Sequence, residues 1–268
     1  MKINKRIINI TLWSVFSVML VVLLGFTGHR QSIRACQGLQ ISVVDETGHL
    51  FIEPRDILEL LSTKGSRIKG KPMNEIDLAR LEKIIYTNPF VERAEVFSGL
   101  DGYVNINIWQ RNPVMRVINS RNEHFYIDES GTYFPVSDKY SCHVVVASGF
   151  IDDSPVRKSI ASARPFPGDT AVAPIMVQLN EIAWFLKNND LWDAQIEQIY
   201  VNEKYEIELI PRVGNQSIVL GNTDHLAEKM NNLMIFYTEA AVRSGWDKYS
   251  VINLKYHDQV ICTKRTGS

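Results

Sequence analysis

The sequence predicts an α+β protein with a single N-terminal transmembrane helix, then a β-α-α-β-β unit, then a β-rich domain with two helices. Residues 7–26 form an uncharged stretch behind a basic tail, about the 20 residues that a helix needs to cross a bilayer. Apolar residues then recur at helical spacing before Pro89 and at strand spacing after it. Beyond Pro113, short alternating segments dominate, which favours a sheet.

The N-terminus predicts a cytoplasmic tail over residues 1–6 and a membrane-spanning helix over residues 7–27. The basic residues of the tail indicate that the bulk of the chain lies outside the cytoplasm. Two alternatives remain. A cleaved signal peptide normally has a shorter apolar region and a small-residue cleavage site. A lipoprotein would use Cys36, but Arg30 and Arg34 interrupt the approach to that cysteine.

The first unit after the membrane is predicted over residues 38–112. Pro54 suits the first position of one helix, because its missing N–H costs nothing there. Asn74, with Asp77 three residues later, predicts the cap of a second helix. The expected elements are strand 39–44, helix 53–61, a helix that starts at Asn74 and stops before Pro89, and the hairpin strands 91–97 and 103–109.

The second unit is predicted over residues 113–264, with residues 265–268 as a C-terminal tail. Pro113 suits the junction because it cannot continue a central strand. Thr223 is the expected cap of a long amphipathic helix. The expected strands are 114–118, 124–127, 131–135, 143–147, 194–201, 205–210, 216–220, 250–256 and 259–264, and the expected helices are 174–187 and 224–243.

The composition and motifs exclude several function classes. In the 268 residues, 29 Lys and Arg against 30 Asp and Glu give a net charge of −1, which argues against a dedicated nucleic-acid binder. The three cysteines (Cys36, Cys142 and Cys262) are far apart, and no C-x-x-C is present. No nucleophile elbow, zinc motif or phosphate loop is present either. We therefore expect no catalytic residues, no cofactor, no metal and no small-molecule substrate.

Four segments, in this order, carry a resemblance to a known family. They are TNPFVERAEV at 87–96, VNINIWQRNPVMR at 104–116, FYIDESGTYF at 125–134 and NLKY at 253–256. The first resembles the helix-to-strand passage of a POTRA domain. The set as a whole is similar to the bacterial FtsQ/DivIB cell-division family and covers nearly the whole chain. Gln110 stands where the family usually has Glu, and Asn253 where it usually has Asp.

The resemblance implies a non-enzymatic scaffold of the divisome. Such a protein is a single-pass inner-membrane protein at the division septum, with its bulk in the periplasm. It binds the small proteins FtsB and FtsL and helps to recruit or regulate the septal peptidoglycan synthases FtsW and FtsI. Residues 7–27 would contact the lipid bilayer. The resemblance also implies that the C-terminal sheet edge receives a strand from FtsB.

Two surfaces are therefore predicted to bind partners. The C-terminal strands lack proline and are more apolar than a protected edge usually is. The contact residues that the resemblance implies at this edge are Trp246, Lys255, Tyr256, His257, Gln259, Val260, Ile261 and Thr263. In the first unit, alternation places charged side chains of 91–97 towards solvent, whereas Val91, Ala94 and Val96 suit core packing equally well. The predicted contact residues there are Glu92, Arg93 and Glu95.

Three alternatives stay open at this stage. The chain could be a membrane-anchored envelope enzyme whose residues converge only in three dimensions, in which case a deep pocket with titratable groups is expected. It could be a POTRA-bearing translocation component, although too few long alternating segments follow Pro113 for a membrane barrel. The basic loop Lys64–Lys71 could be a solvated connection or could contact an acidic partner or lipid headgroups.

Overall fold

The computed structural model describes residues 12–22, 34–44, 48, 51–64, 68–151, 174–256 and 258–265. The chain divides into two compact units. The first comprises Met1–Asp45, Ile52–Thr87 and Val91–Gln110, and the second comprises Glu46–Phe51, Asn88–Phe90 and Arg111–Ser268. The second unit thus takes two short segments from within the predicted first domain. The boundaries 38–112 and 113–264 stay predictions.

The N-terminal helix is described over residues 12–22 (α1). The other parts of the predicted span, 7–11 and 23–27, lie outside the described residues, as does the tail 1–6. Within the described residues, no helix has both the length and the hydropathy that crossing a membrane requires.

The first unit has the predicted β-α-α-β-β order. Its three-stranded sheet has the order β1-β3-β2, with β1 parallel and β2 antiparallel to β3. The apolar faces of its helices and its central strand are buried, including Ile57, Leu61, Ile106 and Ile108. The elements are β1 (Gly38–Val44), α2 (Pro54–Thr63), α3 (Leu78–Ile85), β2 (Val91–Ser98) and β3 (Tyr103–Gln110).

The prediction that Asn74 caps the second helix is wrong. Met73–Glu75 forms a single 3-10 turn. Asp77 caps α3 instead, because its Oδ1 accepts the backbone N–H of Arg80 at 2.9 Å. Asn and Asp serve about equally well as N-caps, so the sequence offered two candidates only three residues apart.

The second unit is built on one nine-stranded sheet. Its order is β12-β11-β10-β9-β8-β7-β4-β5-β6, and β6 and β12 are its two edges. The predicted meander is present, since β4, β5 and β6 pair antiparallel in succession. The strands are β4 (Pro113–Ile118), β5 (His124–Asp128), β6 (Tyr133–Pro135), β7 (Val145–Gly149), β8 (Ile196–Val201), β9 (Ile207–Pro211), β10 (Ser217–Gly221), β11 (Tyr249–Asn253) and β12 (Ile261–Lys264).

The second unit contains more than the two predicted helices. The first, α4 (Pro174–Lys187), has the predicted bounds. A short helix, α5 (Asp190–Gln195), then occupies residues where the strand 194–201 was expected to begin. It forms because Asn189 caps it, accepting the backbone N–H of Trp192 at 3.3 Å, and because Trp192 is buried.

The predicted long helix 224–243 is also divided. It begins as α6 (Leu226–Ile235), continues as a π-helical turn at Phe236–Ala241 and ends at Val242–Ser244. His225, in a left-handed conformation with φ of 56°, precedes it in place of the expected cap Thr223. The Thr238 hydroxyl donates to the backbone of the preceding turn, a bond that often bends helices.

A histidine on β5 makes stability depend on pH. Nη2 of Arg116 lies 2.8 Å from Nδ1 of His124, so this nitrogen accepts and the ring is neutral. Burial first, and the Arg116 charge second, lower the pKa of His124 below its usual 6.5. The unfolded chain therefore binds this proton first as the pH falls, and the free energy of unfolding decreases below about pH 6.5.

Replacing His124 by glutamine tests this dependence in urea unfolding at pH 7.5 and at pH 5.0. We expect the free energy of unfolding to fall less between the two pH values in His124→Gln than in wild type. Equal losses would contradict the assignment.

Candidate interaction surface

The C-terminal strand β12 forms one edge of the large sheet. It pairs antiparallel with β11, so that Cys262 faces Ile252 and Thr263 faces Val251. In the described part of the chain, no strand pairs with its other side. Ile261, with 44% of its surface exposed, Thr263 and Lys264 are open to solvent, whereas Cys262 is half-buried. The predicted edge position of this strand is therefore present in the fold.

The two predicted strands are shorter than expected, and Lys255 and Tyr256 lie beyond the end of β11. The strand ends because Asn253 Oδ1 accepts the backbone N–H of Lys255 at 2.9 Å. Leu254 still extends the sheet by donating its N–H to the Val219 carbonyl. Gln259 and Val260 precede β12 in the connecting turn, and His257 lies outside the described residues.

Lys255 forms an ion pair with a residue that is distant in sequence. Its Nζ lies 2.5 Å from Oε1 of Glu206, and about a third of each side chain is exposed. The hydrogen bond to Glu206 raises the pKa of the Lys255 ammonium, and the same bond is the largest cause that lowers the pKa of Glu206. Both groups are therefore charged across the physiological range.

Tyr256 borders a groove of about 320 Å³ near the N-terminus of α6. Its side chain is 53% exposed. Lys229 also lines this groove, and its Nζ donates to the carbonyls of Leu220 and Asn222 and to Asn222 Oδ1, at 2.9 to 3.1 Å. Burial lowers the pKa of Lys229. Lys229 is therefore bound to Leu220 and Asn222 in the lining of the groove, whereas Tyr256 is exposed to solvent.

Trp246 lies at the other end of the same edge. Its ring centroid is 5.0 Å from that of Tyr237, and 41% of its surface is exposed. The strand β11, about 16 Å long, lies between Trp246 and Lys255 in the chain. The predicted contact residues of the C-terminal edge thus lie at both ends of β12 and along it, rather than in one pocket.

The charged residues predicted in the first unit lie on β2. Glu92 and Arg93 are both exposed, because a bulge between Val91 and Arg93 interrupts the alternation. The Arg93 guanidinium lies 3.9 Å from the ring centroid of Trp109 and its Nη2 lies 2.9 Å from Glu95 Oε1.

The expected packing role of the neighbouring apolar side chains also holds. Val91 and Ala94 are buried in the core of the first unit, and Val96 is half-buried. The exposed residues are therefore the ones on β2 that a partner can reach.

Residues from two of the family-like segments meet in the second unit. Arg111 Nη1 lies 2.6 Å from Asp128 Oδ2, and both side chains are largely buried. Arg111 Nε donates to the Pro89 carbonyl at 3.1 Å. Asp128 Oδ1 also accepts the Ser130 hydroxyl and the Thr132 backbone N–H, at 2.6 and 2.8 Å. This pair fixes the turn between β5 and β6.

One cavity of the second unit brings titratable side chains together. A polar cavity of about 810 Å³ is lined in part by Arg116, Cys142 and His143. Burial raises the pKa of the Cys142 thiol, which is the reverse of an activated cysteine. Among the described residues, no group of three or more His, Cys, Asp and Glu side chains could hold a metal ion.

Sequence reasoning missed Glu206, which faces Lys255 across the sheet. The two residues are 49 positions apart, and Glu206 lies in a turn of polar residues that reads as an ordinary solvated connection. Only the pairing of β9, β10 and β11 brings this turn to the end of β11. No local pattern could have indicated it.

Comparisons with known proteins agree with this architecture. Residues 112–263 match the family described as FtsQ/DivIB, C-terminal related, and residues 34–109 match the POTRA-like domain. A cell division protein FtsQ from Geotalea daltonii is 25% identical over 238 residues, which cover 85% of this chain and 82% of that protein. The match over the C-terminal region spans more than half of the chain. The chain belongs to the FtsQ/DivIB family, with a POTRA-like domain before its β-rich domain.

Proposed function

We propose that this protein is a non-enzymatic scaffold of the bacterial divisome. It binds FtsB- and FtsL-type proteins and helps to recruit or regulate septal peptidoglycan synthesis by FtsW- and FtsI-type synthases. Its family and the cell-division relative support the role in division. The open edge of the nine-stranded sheet is the observation that carries the partner-binding part of the proposal.

The two edges of this sheet differ in a way that favours β12 as the binding edge. At the opposite edge, β6 is three residues long and ends in Pro135, which has no N–H to offer an added strand. Its Tyr133 and Phe134 are buried. In contrast, β12 contains no proline and exposes Ile261. Unprotected edges of this kind pair with strands of other chains.

The chemistry of the β12 edge suits an extended peptide. Backbone N–H and C=O groups of the edge would supply the ladder of hydrogen bonds, and side chains at both ends would supply specificity. Tyr256 at one end and Trp246 at the other have large exposed rings, the type of side chain that dominates binding energy at interfaces. The proposed contacts are Trp246, Lys255, Tyr256, His257, Gln259, Val260, Ile261 and Thr263.

We also propose the arrangement in the cell. Residues 7–27 anchor the protein in the inner membrane, the tail 1–6 is cytoplasmic and both folded units are periplasmic. The charge distribution around the apolar stretch supports this orientation. On the POTRA-like unit, Glu92, Arg93 and Glu95 would form a second contact surface for division proteins that arrive later.

A native cysteine tests the edge directly. Cys262 lies on β12 and is half-buried, whereas Cys36 and Cys142 are buried. Burial raises the pKa of the Cys262 thiol, so alkylation should be followed at mildly alkaline pH. We expect the FtsB-type protein of the same organism to slow alkylation of Cys262 without changing that of Cys142. Tyr256→Ala should weaken binding by about tenfold and should reduce this protection at a fixed partner concentration.

Two controls accompany this measurement. Trp184→Ala removes another large exposed ring, on α4, which packs against β4, and should leave the protection unchanged. Unfolding curves should show that both variants are as stable as wild type. Binding without any protection of Cys262 would place the partner elsewhere, and equal affinity of wild type and Tyr256→Ala would remove Tyr256 from the contact.

A further inference from the structure

The segment that follows the proposed membrane span pairs with the basic loop between α2 and α3. The Cys36 N–H donates to the Lys71 carbonyl at 2.8 Å, and the Met73 N–H donates to the Arg34 carbonyl at 3.0 Å. These two bonds lie on either side of an isolated antiparallel bridge. The loop is therefore held beside the described segment that lies closest in sequence to the span.

Lys69 and Lys71 belong to a tight turn in this loop, and both are exposed. The N–H of Lys71 donates to the Ile68 carbonyl at 3.1 Å, and that of Gly70 donates to the Cys36 carbonyl at 2.8 Å. Gly70 has a φ of 88°, which glycine adopts without strain at the third position of such a turn. Ile68 and Cys36 are buried, so the turn is fixed to the core while its lysines stay in solvent.

Arg34, Lys69 and Lys71 together form a basic patch, which we call the membrane-proximal patch. All three residues are exposed. In the part of the chain that the structure describes, none of them forms an ion pair with a carboxylate. Lys64, at the start of the loop, differs because its Nζ donates to Thr87 Oγ1 at 2.7 Å. The charge of the patch is therefore available to an anionic partner.

Charge is distributed unevenly along the chain. Residues 28–44 and 64–74 carry six basic residues and no acidic residue. Outside these two segments and the tail 1–6, the chain carries 20 basic residues against all 30 acidic ones. An anionic surface therefore attracts this region of the first unit and, on balance, repels the rest of the chain.

The connection between the patch and the proposed span is short. Thr27, the last residue of the span, and Arg34 are seven positions apart, which is at most about 25 Å of extended chain. The headgroup layer itself takes up about 5–7 Å of this distance. In an anchored chain the contact between patch and headgroups is therefore intramolecular, whereas an acidic protein would have to enter the same space from solution.

We propose that the membrane-proximal patch binds anionic phospholipid headgroups of the leaflet next to it, and thereby orients the POTRA-like unit on the membrane. The inference rests on the proposed function, because it requires the anchor at residues 7–27. Ammonium and guanidinium groups donate to phosphate oxygens, and each such group near an anionic bilayer strengthens the contact about fivefold. The end of the unit that carries the loop between α2 and α3 then faces the bilayer.

Quenching by headgroups tests this contact in the full-length protein. The protein is placed in nanodiscs of phosphatidylcholine alone, or of an equal mixture with phosphatidylglycerol, that contain lipids with a headgroup nitroxide. A fluorophore is attached at Asn74→Cys, an exposed position beside the patch, in a Cys262→Ser background. Cys36 and Cys142 are buried. We expect stronger quenching in the anionic discs, and a loss of this difference at high salt.

Variants assign the quenching to the patch. Lys69→Gln with Lys71→Gln should lower the equilibrium constant for contact about 25-fold, which is about fivefold for each lysine. The matched control is Arg55→Gln with Lys83→Gln, which removes two exposed charges from the same unit. Arg55 lies at the end of α2 away from the loop. The control should change the constant less than about twofold, and unfolding curves should show that both double variants are folded.

The outcomes separate this inference from the proposed function. Equal quenching in neutral and anionic discs, or equal losses in the patch and control variants, would overturn the inference while the anchored protein stays in the discs. If lipid contact is absent and the patch variant instead weakens binding of the FtsB-type protein, the patch serves an acidic protein and the lipid assignment is wrong. A chain that does not remain in the discs would overturn the proposed anchor, and this inference with it.

Discussion

Replacing Asp128 by alanine should lower the free energy of unfolding by about 3–5 kcal/mol. The substitution leaves the Arg111 guanidinium, with only 11% of its side chain exposed, without the carboxylate 2.6 Å away. It also removes the acceptor for the Ser130 hydroxyl and the Thr132 backbone N–H. In urea, the midpoint of the transition should fall by about 2 M.

Two further variants identify the cause of this loss. Asp138→Ala removes an exposed carboxylate ten positions along the chain and should change stability by less than about 0.5 kcal/mol. Combining Asp128→Leu with Arg111→Met removes both charges and should recover much of the stability, because no buried charge is left unpaired. If Asp128→Ala is no more destabilising than Asp138→Ala, the buried pair does not stabilise the second unit.

The Arg111–Asp128 pair also explains why two family-like segments occur together. The segment 104–116 carries Arg111, and the segment 125–134 carries Asp128. Asn112 and Glu129, their neighbours, form a second hydrogen bond across the same junction. Each segment alone reads as a strand with a turn. Their common role depends on the pairing of β4 with β5.

The two residues that depart from the family pattern both act as hydrogen-bond acceptors. Gln110 uses Oε1 to accept the backbone N–H of Ile52 at 2.8 Å, and Asn253 uses Oδ1 to accept the backbone N–H of Lys255. A glutamate or an aspartate offers the same acceptor oxygen. The side-chain charge is therefore not required for these contacts.

Periodicity and turn chemistry were sufficient to predict most elements of the fold. The α4 bounds and the order of the first unit were correct because their apolar spacing and flanking residues agree. The prediction was wrong where the same residues could either end one helix or begin another. Asn188 to Asp190 are residue types that commonly end a helix, yet Asn189 caps a new one. The π-helical turn at Phe236–Ala241 has no distinct sequence signature.

The candidate site was predictable only in part, for a physical reason. An edge strand can be inferred from composition, because a C-terminal strand without proline and with exposed apolar residues is recognisable. The direction of the Lys255 side chain cannot be inferred in this way, because it depends on a glycine in β10 and on a turn before β9. Contacts between strands that are far apart in sequence carry no local signal.

Proline substitutions in β12 should separate the strand's two hydrogen-bonding sides. Successive N–H groups of a strand point in opposite directions, so one of the variants Ile261→Pro and Cys262→Pro removes a donor to β11 and the other a donor at the open edge. We expect the variant that loses the donor to β11 to have a free energy of unfolding lower by about 1–3 kcal/mol. The variant that loses the open-edge donor should be nearly as stable as wild type. It should bind the FtsB-type partner about 100-fold more weakly, because the missing donor and the bulk of the ring both oppose an added strand.

The unfolding curves assign the two variants independently of binding. The variant with the smaller loss of stability is the one whose proline faces the open side, and its affinity is the decisive value. Pro135 shows that this sheet accommodates a proline in an edge strand, so a stable variant is a reasonable expectation. If the more stable variant binds the partner as tightly as wild type, no strand is added at β12, and the partner must instead contact the exposed side chains at the ends of the edge.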